Sequence, residues 1–74
     1  MNSIEVFKTN VKRKKDAQRL ASELHNRFPK YKINFDMDDC DKILRVETKG
    51  EMVNAKEIMK VMKKEKVFCE VLNY

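Results

Sequence analysis

The fold is decided by residues 31–47, YKINFDMDDCDKILRVE, in the middle of the chain. Apolar and polar residues alternate over the first seven positions, which predicts a β-strand with one buried face. Residues 38–41 favour a turn, because short acidic side chains hydrogen-bond to their own backbone. A further strand is predicted over residues 43–47, with Leu44 and Val46 on one face. The stretch therefore predicts a β-hairpin, and the flanking segments decide what covers it.

A strand and a helix are predicted before this hairpin. Residues 4–9 alternate and contain β-branched and aromatic side chains, which is typical of a strand. Asn10 follows as a candidate helix N-cap. Apolar residues then recur at helical spacing, at Ala17, Leu20, Ala21, Leu24 and Phe28. The helix is expected to end by Phe28, because Pro29 disfavours the helical conformation of the residue before it.

A second helix and a last strand are predicted after the hairpin. The motif Thr48-x-x-Glu51 fits a capping box at the start of this helix. The apolar stripe of the helix consists of Met52, Ala55, Ile58, Met59 and Met62. Residues 67–72 are the predicted last strand, with Val67, Cys69 and Val71 on one face.

The order β-α-β-β-α-β is that of a ferredoxin-like α+β sandwich. We expect a four-stranded antiparallel sheet with two helices on one face and the strands in the order four, one, three, two. The 74 residues are expected to form a single domain, 1–74, without a linker or a low-complexity tail.

The composition excludes several classes of protein. No apolar run approaches the roughly 20 residues of a membrane-spanning helix, and the first residues do not resemble a secretory signal. Two cysteines, Cys40 and Cys69, do not make a disulfide scaffold, so we expect a reduced, cytoplasmic protein. An enzyme is not expected, because Gly50 is the single glycine and no nucleophile is paired with a base.

The first strand–helix junction resembles that of heavy-metal-associated domains, the fold of small copper chaperones and mercury-binding proteins. Residues 6–11, VFKTNV, are similar to the entry of their first helix, and residues 34–36 and 41–47 look like their second and third strands. The resemblance implies a C-x-x-C motif whose thiolates bind Cu(I) or a similar soft ion. Alignment on Leu20 and Leu24 places Arg13 and Asp16 at the two cysteine positions. The ligand pair is therefore lost, and no metal cofactor is expected there.

Metal binding through other residues stays open as an alternative. Cys40 lies in the aspartate turn, and a metal-handling protein would bind Cu or Zn through Cys40, alone or across a dimer. Cys69 is expected to be a buried, unreactive thiol, because strand alternation points it inward.

The basic residues form two clusters in a chain with 17 basic and 12 acidic side chains and a net charge of +5. In the predicted topology both clusters lie at one end of the domain, beside the aspartate turn. We call this surface the basic pole, and its candidate partner-binding residues are Lys12, Arg13, Lys14, Lys15, Lys63 and Lys64. The pole is interpreted either as a solvated surface or as a docking site for an acidic protein. Nucleic acid is the weaker alternative, because the expected open face lacks the aromatic-rich strand motif of RNA-binding modules.

The uncovered face of the sheet is a second candidate surface. Phe7 and Phe68 are expected there on adjacent strands, and with Leu72 they would form an apolar patch. The patch is interpreted either as a partner or self-association surface or as tolerated exposure. The sequence thus predicts a non-catalytic protein-interaction module, a monomer or weak homodimer without membrane contact, whose metal motif has been lost.

Overall fold

The computed structural model describes residues 2–36 and 42–72. Its elements follow the predicted order, and their bounds are β1 (Asn2–Thr9), α1 (Lys14–Arg27), β2 (Lys32–Asp36), β3 (Ile43–Lys49), α2 (Ala55–Lys64) and β4 (Cys69–Val71). The strands of this described part form one antiparallel sheet in the order β2-β3-β1-β4. The predicted α+β ferredoxin-like fold and its strand order are confirmed. No helix in the described ranges has the length and apolar character needed to cross a membrane.

The core lies between the sheet and the two helices. The register pairs Phe7 of β1 with Leu44 of β3, so both side chains project from the same face of the sheet. Both are fully buried, as are Leu20 of α1 and Ile58 and Met62 of α2. Burial of each such side chain stabilises the fold by about 1.5–3 kcal/mol. This interior layer is what holds the helix ends of the basic pole in place.

The helix α1 begins later than the sequence predicts. Its N-cap is Arg13, not Asn10, so that prediction was wrong. The Oδ1 atom of Asn10 instead accepts a hydrogen bond of 3.0 Å from the backbone N–H of Phe68, which ties the end of β1 to the start of β4. The predicted end is confirmed, because α1 stops at Arg27 with Phe28 as its C-cap.

The start of α2 also differs from the prediction. Thr48 lies inside β3 opposite Ser3, so it caps no helix, and the predicted capping box was wrong. Asn54 is the N-cap, and its side chain accepts a hydrogen bond from the backbone N–H of Glu57. Met52 consequently lies outside the helix and is 79% exposed. The sequence predicted an earlier start for α2 because the pairing with β1, which extends β3 to Lys49, is not visible in local sequence patterns.

The open face of the sheet carries different residues from those predicted. Phe7 is 0% exposed and lies under the helices, so its assignment to an open-face patch was wrong. The β1 residues on the open face are Ile4, Val6 and Lys8, since they alternate along the strand with Phe7, which lies under the helices. Both sides of β1 contain apolar residues, and alternation alone therefore could not choose between them. Phe68 is exposed and Leu72 is half-buried.

Candidate basic docking surface

The junctions that the sequence placed at one end of the domain meet there in the structure. Thr9 at the end of β1 pairs with Cys69 at the start of β4, and Asp36 at the end of β2 pairs with Ile43 at the start of β3. The C-terminal end of α2 leads into the same region. Asp38, Asp39, Cys40 and Asp41 lie outside the described residues.

A groove separates the first turn of α1 from the turn that follows α2. Its volume is about 350 Å³, and we call it the interhelical groove. Its apolar lining consists of Val11, Leu20 and Val67. Its charged lining consists of four cations and two acids: Lys12, Arg13, Arg19, Lys66, Asp16 and Glu65. Sites that bind a side chain with specificity combine an apolar surface with a few placed polar groups in this way.

The six candidate residues of the basic pole are all exposed, and they come from two separate helix ends. Within residues 2–36 and 42–72, the ion pairs found involve none of the six. Lys14 departs from the others because it lines a different groove, beside β2. Of the six, Lys12 and Arg13 line the interhelical groove, whereas Lys15, Lys63 and Lys64 are exposed outside its lining.

The start of α1 is electrostatically unfavourable for its own residues. Arg13 has an extended backbone, with φ −113° and ψ 139°, and its side chain makes no capping hydrogen bond. The first-turn N–H groups of a helix carry partial positive charge, and Lys14 and Lys15 add full positive charges beside them. Asp16, half-buried in this turn, is the acidic residue of the first turn. The arrangement favours the approach of a negatively charged group.

The end of α2 is fixed by a tight backbone motif. Lys66 adopts a left-handed conformation, with φ +61°. Its N–H donates to the carbonyl of Lys63, and the N–H of Val67 donates to the carbonyl of Met62. These two bonds make a Schellman motif, a helix ending that usually employs glycine. Lys63 and Lys64 lie in the last turn, where cations interact favourably with the helix dipole.

An ion pair connects the two helices beside the interhelical groove. Arg19 of α1 donates to Glu65, the C-cap of α2, through Nη1 and Oε1. Glu65 thereby has a cationic partner of its own, and the Arg19–Glu65 pair adds no net charge to this surface. The two residues lie 46 positions apart in the chain and meet only when it is folded, so local sequence patterns could not predict their pairing.

The residues that the resemblance places at the metal-ligand positions do not fit a soft metal ion. Arg13 presents a guanidinium, which carries a fixed positive charge and has no electron pair to donate. Asp16 offers a hard carboxylate where Cu(I) prefers thiolate. Within the described ranges, no group of three or more His, Cys, Asp or Glu residues could hold a metal ion.

Cys69 is held in its thiol form. It lies half-buried on β4 and packs against the core, as the alternation predicted. Burial, with a smaller contribution from the charge of Glu70, raises the pKa of Cys69 from 9.0 to about 12. Because the thiolate is the form that binds metals and reacts, Cys69 is poorly suited to either role near neutral pH.

A basic concavity at the opposite end of the sheet was not predicted. It has a volume of about 390 Å³, and its lining includes Lys30, Lys32, Lys49 and Ile4. The three lysines come from β2, the turn before it and the end of β3. Lys32 lies opposite Glu47 of β3, and this pairing could have located the concavity. The pairing is known only once the strand register is known.

Comparisons with known proteins found no relative of this chain. No family model matches the sequence, and no curated protein and no solved structure is significantly similar to it.

Proposed function

We propose that this chain is a small, non-catalytic interaction domain that binds an acidic segment of a partner protein at the basic pole. It resembles a heavy-metal-associated domain whose thiolate pair has been replaced by Arg13 and Asp16. The observation that carries the proposal is a groove between two helix ends whose lining joins apolar residues with Lys12, Arg13 and Lys66, beside further exposed lysines in the last turn of α2.

Charge and shape together favour an acidic partner with an apolar anchor. Lys12, Arg13 and Lys63 would attract carboxylates, and an interaction of this exposed kind contributes about 0.2–1 kcal/mol. Val11, Leu20 and Val67 could contact one apolar side chain of the partner within the interhelical groove. The contact would weaken as salt is added, because exposed charges are screened over about 10 Å at 0.1 M.

The proposal is tested with a short synthetic peptide in which glutamates flank a single leucine. We expect its addition to shift the amide NMR signals of residues 11–16 and 63–67. The double variant Lys12→Glu, Lys63→Glu should weaken binding about tenfold, which corresponds to about 1.4 kcal/mol. Lys14 is left unchanged, because it lines the groove beside β2.

The matched control is Lys30→Glu, Lys49→Glu at the opposite end of the sheet. It lowers the net charge of +5 by the same amount and alters exposed lysines in the same way. We expect it to bind the peptide as the wild type does. Equal loss in both variants would mean that net charge alone attracts the peptide, and the proposed site would be wrong. Preference for a single-stranded RNA over the peptide would favour the nucleic-acid alternative.

Metal binding through Cys40 is the alternative proposal, and it has its own test. Reduced protein is titrated anaerobically with Cu(I) and with Zn(II) against a competing chelator, with Cys40→Ser as the control. Tight binding that is lost in Cys40→Ser would support metal handling, alone or across a dimer, in place of the interaction module. Absence of binding in both proteins would remove this alternative.

A further inference from the structure

The strand β2 forms one outer edge of the sheet within the described residues. It pairs with β3 on one side only. On its other side, the backbone N–H and C=O groups of every second residue face outward. An edge of this kind can pair with a strand of another chain.

The sequence of β2 is complementary to itself in an antiparallel arrangement. When two copies pair about a two-fold axis at Asn34, Lys32 of each copy faces Asp36 of the other on the open face of the sheet. Ile33 of each copy then faces Phe35 of the other on the helix-covered face. Opposite charges and aromatic–β-branched pairs each stabilise directly opposed strand positions. We infer that this chain self-associates through β2, which joins two sheets into one continuous sheet across a two-fold axis.

The helix side of β2 has room for the second strand. A groove of about 340 Å³ lies between α1 and β2, and its lining includes Ala17, Gln18 and Ala21. Their short or flexible side chains leave Ile33 and Phe35 half-buried at the edge. In the paired arrangement, Phe35 of the second copy lies over this groove and covers the apolar surface that one copy leaves exposed.

The other edge of the sheet does not have this complementarity. β4 has three residues, Cys69–Val71, and a two-fold pairing about its centre would place Glu70 opposite Glu70. Like charges at directly opposed positions destabilise strand pairing. The interface is therefore assigned to β2, and a substitution on β4 serves as the control.

The contact surface is small, which sets the strength of the association. Two five-residue strands and one groove bury less than the standard protein–protein interface of about 1,600 Å². A reversible dimer at high protein concentration is therefore expected. Asp36 also has an interaction within its own chain, and the two oxygens of a carboxylate have enough acceptor sites to bind Lys32 of the second copy in addition.

Sedimentation velocity over a wide range of protein concentration tests this inference. The wild type should shift from the 8.9 kDa of one chain toward twice that mass. Lys32→Asp places two acids opposite each other, and Asp36→Lys places two lysines opposite each other. Each single variant should remain at the mass of one chain under conditions in which the wild type associates.

Mixing the two single variants provides the decisive control. The Lys32→Asp protein carries acids at positions 32 and 36, and the Asp36→Lys protein carries lysines at both. Every opposed pair between the two proteins then joins opposite charges, so a mixed dimer should form although neither variant associates alone. Because the same two proteins recover the association, a folding defect cannot account for its loss. Glu70→Lys should associate as the wild type does.

Several outcomes would overturn the inference. A wild type that stays at the mass of one chain at every concentration would show that β2 does not pair. Single variants that associate normally, or a mixture that stays monomeric, would show that the Lys32–Asp36 register is wrong. A changed association of Glu70→Lys would place the interface on β4 instead. The variant Lys12→Glu, Lys63→Glu should associate normally, which separates this inference from the proposed function.

Discussion

At the scale of single residues, two buried threonines differ in the hydrogen bonds that they make. Thr9 and Thr48 are 5% and 4% exposed. The Thr9 hydroxyl donates to the carbonyl of Lys42 at 2.7 Å and accepts from the N–H of Val11 at 3.3 Å. The hydroxyl of Thr48 has no partner among the described residues. Burial of a polar group without a partner lowers stability, whereas a satisfied group contributes to it.

We therefore expect opposite effects from the same substitution at these two positions. Thr48→Val, which preserves shape, should raise the free energy of unfolding by about 1 kcal/mol. Thr9→Val should lower it by about 1–3 kcal/mol, because Lys42 and Val11 lose a partner. Urea denaturation of the two variants measures both values. A loss at Thr48 comparable to that at Thr9 would indicate that a buried water satisfies Thr48.

The thiol of Cys69 predicts a pH dependence of stability at the same scale. The unfolded thiol has a pKa near 9.0, but the folded thiol, with a pKa of about 12, stays protonated well above that pH. Above pH 9.0 the unfolded chain therefore binds fewer protons than the folded one, and the contribution of Cys69 to stability falls as the pH rises.

This prediction is tested by measuring the pH dependence of the free energy of unfolding in the Cys40→Ser protein and in the double variant Cys40→Ser, Cys69→Ala. The free energy of unfolding should decline less steeply above pH 9.0 in Cys69→Ala. Identical slopes would mean that the folded thiol ionises like the unfolded one. Below pH 9.0 the two proteins should show the same pH dependence.

At the scale of elements, the starts of the two helices differ in their capping. The Asn54 side chain of α2 accepts from the N–H of Glu57 at 3.2 Å. Arg13 at the start of α1 offers no acceptor, and Lys14 and Lys15 follow it. The helix α1 therefore lacks a stabilising N-cap at the position where the proposed docking surface has its densest positive charge.

Arg13→Asp should raise stability and weaken binding together. Aspartate at the N-cap accepts from a first-turn N–H and complements the helix dipole, so the free energy of unfolding should rise by about 1 kcal/mol. Binding of the glutamate–leucine peptide should fall, because a cation of the basic pole becomes an anion. Asn54→Ala is the comparison and should lower stability by about 1 kcal/mol without affecting the peptide. Unchanged peptide binding by Arg13→Asp would remove Arg13 from the proposed surface.

At the scale of the whole molecule, stability depends on one layer between the sheet and the helices. Phe7 lies within this layer at 0% exposure, whereas Phe68 is 49% exposed. A chain of this length has a free energy of unfolding of about 4–11 kcal/mol. The loss of one large core side chain is therefore a considerable fraction of the total.

Phe7→Ala should lower the free energy of unfolding by about 3–5 kcal/mol. Phe68→Ala should lower it by less than about 1 kcal/mol, since an exposed side chain loses little contact on truncation. The urea midpoints of the two variants measure the difference. Similar losses of unfolding free energy in the two variants would contradict the burial of Phe7 and would favour an open-face patch that contains it.

Much of this fold could be predicted because its signals are local. The alternation of Ile33 and Phe35, the helical spacing of Leu20 and Leu24, and the position of Pro29 each act within a few residues. The order of elements then restricts the topology, and the topology brings the two basic clusters to one end of the domain. These features need no knowledge of which distant residues meet.

What the sequence by itself determined was therefore the type and order of the elements and the end of the domain at which the basic clusters lie. Only the tertiary structure decided which side of β1 is buried, because both sides contain apolar residues and the pairing of Phe7 with Leu44 makes the choice. It also decided where the helices begin, since Asn10 bonds to Phe68 and β3 extends through Thr48. Each of these depends on a contact between distant parts of the chain, and local periodicity carries no information about such contacts.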